Sequence, residues 1–132
     1  MRNKALLAMT VAVMLAHTVP TMAQKVPIGI APTVSAAIEG SKVLKAAPGN
    51  LVTVTVVTGA TAGFLMMFNA IAVPADGDVT PRYCTNVPAN STVGVEWSVP
   101  VFYSTGVVAV FSSTGCYTKT VSATAAFFAQ VN

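Results

Sequence analysis

Apolar and polar positions alternate most clearly in Leu51 to Thr58, where Val52, Val54 and Val56 are interleaved with Thr53, Thr55 and Thr58. A period of two puts successive side chains on opposite faces, so this predicts a strand with its valines on a core and its threonines in water. The preceding Ala47-Pro48-Gly49-Asn50 joins a proline that presets φ to residues tolerant of positive φ, which makes Ser41 to Ala46 the expected hairpin partner. After the small-residue stretch Thr58 to Gly63 comes Phe64-Leu65-Met66-Met67-Phe68, an apolar run without alternation. Such a run belongs to a strand covered on both faces, either by another subunit or by a long loop of the same chain. Val73 to Pro81, with two prolines and Asp76-Gly77-Asp78, reads as a surface loop. Val93 to Val99 reads as a strand with Val93, Val95 and Trp97 on one face, and Val107 to Phe111 as a buried strand. Cys116 to Phe128 is the last strand, interrupted near Ser122. No helical period is sustained beyond Ala23, so about seven strands joined by hairpins predict an all-β, antiparallel sandwich, Ig-like or jelly-roll-like.

The first 23 residues have a different pattern: Arg2 and Lys4, an apolar run from Ala5 to Ala16, and a short polar stretch ending Thr21-Met22-Ala23. This is the three-part layout of a secretory signal peptide, with cleavage expected before Gln24. The apolar run is shorter than the roughly 20 residues needed to span a bilayer, so no membrane attachment is expected after cleavage. Residues 24–40 read as an extended Pro/Gly/Ala arm and residues 41–132 as the sandwich domain. The expected location is periplasmic or extracellular.

Removing the leader changes the charge. Arg2, Lys4 and His17 leave with it, and five cations (Lys25, Lys42, Lys45, Arg82, Lys119) against four anions (Glu39, Asp76, Asp78, Glu96) give +1 in place of +3. Scattered cations do not supply the basic face that nucleic acid requires. Cys84 and Cys116 are the only cysteines, and in an oxidising compartment they are expected to form a disulfide.

The mature chain lacks histidine, so no Ser, Thr or Cys has its usual activating base, and two cysteines alone cannot close a zinc tetrahedron. Asp76 and Asp78 flank Gly77, but a calcium shell takes six to eight oxygens, and a plain turn is the reading adopted. No phosphate loop or dinucleotide fingerprint follows a strand. The sequence therefore predicts a protein that is not an enzyme and holds no cofactor or metal. Asn90-Ser91-Thr92 fits the N-glycosylation pattern and is read as a turn. One ligand site has residues behind it: Tyr83, Trp97, Phe102 and Tyr103 as an aromatic platform for carbohydrate, set against the commoner role of such a tryptophan in a sandwich core.

Between Lys45 and Phe128 the chain carries Ala47-Pro48-Gly49-Asn50-Leu51, Thr58-Gly59-Ala60-Thr61-Ala62-Gly63, Pro74-Ala75-Asp76-Gly77, Ala89-Asn90-Ser91-Thr92-Val93-Gly94 and the stretch Thr105 to Cys116 (TGVVAVFSSTGC). In these blocks the segment resembles small β-domain proteins associated with tailed bacteriophages and prophages. The resemblance implies a virion-associated or accessory β-domain, such as a decoration or tail-associated subunit, whose partners are capsid or tail proteins or further copies of itself. It assigns no site. A subunit assembled in the cytoplasm needs no secretory leader, so the second expectation is an exported bacterial module that recognises a surface glycan or protein.

Overall fold

A computed structural model describes residues 31–132, and the leader assigned to residues 1–23 lies outside them, as does the first part of the arm. Ten strands follow in order: β1 (Thr33–Val34), β2 (Ser41–Lys45), β3 (Gly49–Thr58), β4 (Gly63–Asn69), β5 (Gly77–Asp78), β6 (Tyr83–Val87), β7 (Thr92–Tyr103), β8 (Val107–Ser112), β9 (Thr118–Lys119) and β10 (Ala125–Val131). Two four-stranded sheets, ordered β1-β10-β3-β7 and β2-β8-β4-β6, pack face to face, and β5 pairs with β9 apart from them. Every pairing is antiparallel, which is the sandwich that the spacing of apolar runs predicts.

The main core lies between the sheets. Leu51, Val54, Val56, Ala125, Phe127 and Ala129 come from one side, and Leu44, Leu65, Met67, Val107, Ala109 and Phe111 from the other. Each large side chain buried there stabilises the fold by about 1.5–3 kcal/mol. A second, smaller cluster of Met66, Phe68, Val108 and Val110 lies on the opposite face of β4 and β8. The unbroken apolar run of β4 thus has both faces covered, and the second cover is the chain itself: Val79 and Val121 lie against this cluster.

Three strand-level expectations are corrected. The Pro48 turn does not close a hairpin: β2 pairs with β8 while β3 pairs with β10 and β7, so the turn carries the chain from one sheet to the other. Leu44 and Leu51 then enter the same core from opposite sides, burying both, which a hairpin in one sheet would arrange differently. Val52 does not join Val54 and Val56 in the core. Thr53 pairs with Glu96 but Leu51 with Val101, so the stretch 97–100 of β7 bulges opposite Val52 and resets the alternation. Thr58, expected in water, is buried, and its hydroxyl donates to the Pro88 carbonyl at 2.7 Å and accepts from the Ser91 amide at 3.2 Å.

The described part of the arm runs along β10. Thr33 and Val34 pair with Ala129 and Phe128, the Ser35 amide donates to the Phe127 carbonyl at 2.8 Å, and the Glu39 amide to the Ala125 carbonyl at 2.7 Å. Among the described residues no helix is long and apolar enough to cross a membrane.

The crossing at Gly106 is a close backbone approach with a direct test. A Cβ there would lie 2.5 Å from the Ala70 carbonyl oxygen and 2.8 Å from that of Lys45, both main chain. Gly106→Ala is expected to lower stability by about 1–3 kcal/mol, as overpacking does. Gly94→Ala, whose Cβ would meet only the Thr55 hydroxyl at 3.4 Å, should stay within about 0.5 kcal/mol. Urea midpoints of the two variants measure the difference.

Candidate functional site

The four aromatic residues singled out in the sequence do not form one platform. Tyr83 on β6 and Trp97 on β7 sit at the edges of opposite sheets, with ring centroids 5.3 Å apart at 83°. Both are partly buried against the main core, so this edge-to-face pair closes one open side of the sandwich and is worth about 0.5–1.5 kcal/mol beyond its area. Tyr103 is a core residue, 1% exposed, with the Arg82 guanidinium 5.3 Å above its ring. Burial pushes its phenol up to about 12, the Arg82 charge opposing, so it is neutral across the physiological range. Phe102, next along the strand, points to the other side of the sheet and is 55% exposed.

Cys84 and Cys116 form the disulfide that their count predicts, with a Cα–Cα distance of 5.7 Å. The bond joins β6 to the segment that precedes β9, and so fastens the cover over the second apolar cluster. Two further ties hold that cover. Gly77 and Asp78 pair with Lys119 and Thr118, and the Lys119 ammonium pairs with Asp76 Oδ1, which also accepts from the Val121 amide at 3.3 Å. Lys119 is 1% exposed, while the Asp76 side chain remains half open to solvent. The hydrogen bond from Lys119 holds the Asp76 carboxyl below its ordinary value of 3.8, with the Val121 amide and the lysine charge adding to it against a smaller opposing effect of burial. Asp76 therefore serves as the counter-ion of a buried lysine. No local signal joins residues 43 apart, and the sequence did not reveal the pair. Nearby, the Ser112 hydroxyl accepts from the Thr120 amide at 3.0 Å, and Thr114 and Thr120 hydroxyls lie within bonding distance, so these side chains stitch the 112–120 turn. Asn90 adopts φ 49° in the turn between β6 and β7, as the Asn-Ser-Thr reading expected of a turn.

The described residues contain a concavity of ligand size, which the sequence did not disclose. It is an open groove of about 430 Å³ where the chain leaves β4 and returns to β6, lined by Phe68, Ala70, Pro74, Val79, Pro81 and Arg82, with Asn69 and Thr80 at its polar margin. Asn69 is already engaged: its amide donates to the Ser104 hydroxyl at 3.0 Å, and its carbonyl accepts from the Thr105 amide at 2.9 Å. No group of three or more His, Cys, Asp or Glu side chains that could hold a metal ion occurs among the described residues.

Comparison with known proteins finds no matching family model, and no curated protein or solved structure matches the chain.

Two outcomes test the cover. Replacing Cys84 and Cys116 together by serine, which frees a separation of 32 residues, is expected to lower stability by about 3–4 kcal/mol on the chain-entropy account, read from denaturant midpoints. Asp76→Asn leaves a buried ammonium without its counter-ion and should lower the melting temperature further than the double change Asp76→Asn with Lys119→Met, which removes the charge as well. The pH dependence has a definite sign. Because the folded carboxyl titrates below 3.8, its contribution is full above that value and is lost as pH falls through the lowered folded value, an acid loss that melting curves of Asp76→Asn should lack.

Proposed function

We propose that the chain is a non-catalytic structural or interaction module that works by docking its bare sheet face against protein. The observation that carries this is an asymmetry between the two sheets. The outer face of β2-β8-β4-β6 is covered by the chain itself, whereas the outer face of β1-β10-β3-β7 has no covering segment among the described residues. On that bare face Val34, Phe128, Thr55 and Gly94 form one cross-strand row, and Ala126, Val57 and Thr92 the next. Phe128 is 40% exposed and Val34 43%, and Glu96 is the charged residue of the adjoining row Gln130-Thr53-Glu96. A flat face of apolar and hydroxyl side chains with little charge suits a protein partner better than a solvated exterior. The resemblance to tailed-phage proteins gives the reading its specific form: a virion-associated decoration or tail-associated subunit whose partners are further copies of the chain or capsid and tail proteins.

The second reading is an exported bacterial module that recognises a surface glycan or protein. The Cys84–Cys116 disulfide favours it, because such bonds persist in oxidising compartments. Intact mass of the protein from its natural source separates the two. A chain beginning at Gln24 in a periplasmic extract supports export, and an uncleaved chain in purified particles supports the virion role.

The docking face is tested by sedimentation. The wild-type chain is expected to self-associate or to sediment with particles, and Phe128→Asp, which puts a charge in the centre of the apolar row, should weaken that association at least about tenfold while leaving the melting curve nearly unchanged. A wild-type chain that neither self-associates nor binds particles would refute the reading.

A further inference from the structure

The groove between β4 and β6 carries an inference independent of what the bare sheet face does. Its walls are apolar, from Phe68, Ala70, Pro74, Val79 and Pro81, and the single charged residue lining it is Arg82. Two of the other cations among the described residues have carboxylate partners, Lys42 with Glu39 at 3.2 Å and Lys119 with Asp76, whereas Arg82 pairs with no carboxylate there. Arg82 is nevertheless held: its guanidinium lies over the Tyr103 ring, and its backbone amide donates to the Met67 carbonyl at 2.8 Å. A guanidinium stacked on an aromatic face keeps its N–H edges available for a planar anion, which it grips with two parallel bonds. The opposite wall is equally fixed, because the loop carrying Pro74 and Val79 is tied down through Asp76 to Lys119 and through the β5–β9 ladder. A volume of about 430 Å³ falls in the range of small-molecule sites, which pair an apolar lining with a few placed polar groups.

We propose that this groove binds a small organic carboxylate with a single aromatic or alicyclic ring, the ring lying against Phe68, Pro74 and Val79 and the carboxylate bonded to Arg82. The prediction is specific about which part of the ligand matters. Benzoate supplies ring and charge, benzamide the same shape without charge, and acetate the charge without a ring.

Titration of the uniformly 15N-labelled chain with each compound, followed by amide chemical shifts, decides the matter. Benzoate is expected to shift amides confined to residues 68–70 and 79–82, and both benzamide and acetate should bind about tenfold more weakly or less. Arg82→Gln should remove the preference for benzoate over benzamide, its own spectrum reporting whether the fold is kept. Thr80→Phe, at an exposed position on the margin, should block both ligands without touching the charge. Absence of localised shifts with benzoate, or equal binding of benzoate and benzamide by the wild-type chain, would overturn the proposal, and neither result depends on a variant folding.

Discussion

The pair β4 and β8 is apolar on both faces, and most of the molecule is arranged to keep both faces dry. One face is satisfied by the opposing sheet, where Leu65, Met67, Ala109 and Phe111 meet Leu51, Val54, Val56 and Phe127. The other presents Met66, Phe68, Val108 and Val110, and beyond the two-residue β5–β9 ladder no sheet among the described residues covers them. The chain covers them with loop, which is a poor cover by itself because it has few hydrogen bonds and much conformational freedom. The disulfide, the two-residue β5–β9 ladder and the buried Lys119 with its counter-ion all lie in this layer, and each restricts that freedom. Their concentration on one side of the molecule follows from where the unmet apolar surface is.

The same constraint explains where concavities and flat surfaces fall. A loop drawn over a sheet by a few fixed points does not fill the space at its entry and exit, and the Arg82 groove lies where the chain leaves β4 and comes back to β6. The opposite sheet buries one face against the main core, and its outer side, with Val34, Val57 and Phe128 exposed, has no covering segment among the described residues. At the sandwich margins the solutions are side-chain and backbone respectively: Tyr83 and Trp97 close the β6–β7 side, and residues 33–39 run along β10 on the other.

Features that depend on local period or on counting were legible in the sequence. Val54 and Val56 face the core because strand period is a property of the strand itself, β8 is buried along its length as its apolar run implies, and two cysteines in the described chain pair with each other. Features that depend on a distant partner were not. The turn chemistry at Pro48 describes a reversal but not which sheet receives the returning strand. Val52 loses its core position because four residues of β7, 97–100, stand opposite it where a regular ladder has one, some 45 positions along the chain, as the pairing of Thr53 with Glu96 and of Leu51 with Val101 shows. Tyr83, Trp97, Phe102 and Tyr103 share an aromatic character that groups them in sequence, yet strand alternation puts Phe102 and Tyr103 on opposite sides of one sheet. The ion pair and the groove need the loop placed over the sheet before either exists, and nothing within a short window encodes that placement.

The strand order has a consequence for synthesis. β10, the last of the described strands, is an interior member of its sheet, between β1 and β3, and it supplies Phe127 to the centre of the core. While residues 125–131 are still inside the ribosome, β3 has a partner on one side only, the first strand has none, and the core lacks one of its largest side chains. The sandwich therefore stays incomplete until residues 125–131 have left the ribosome, and until then the chain stays extensible enough to be threaded, degraded or captured by a chaperone. A chain that stops short of residue 125 lacks an interior strand, so its product is an open sheet with an exposed edge where a closed domain should be.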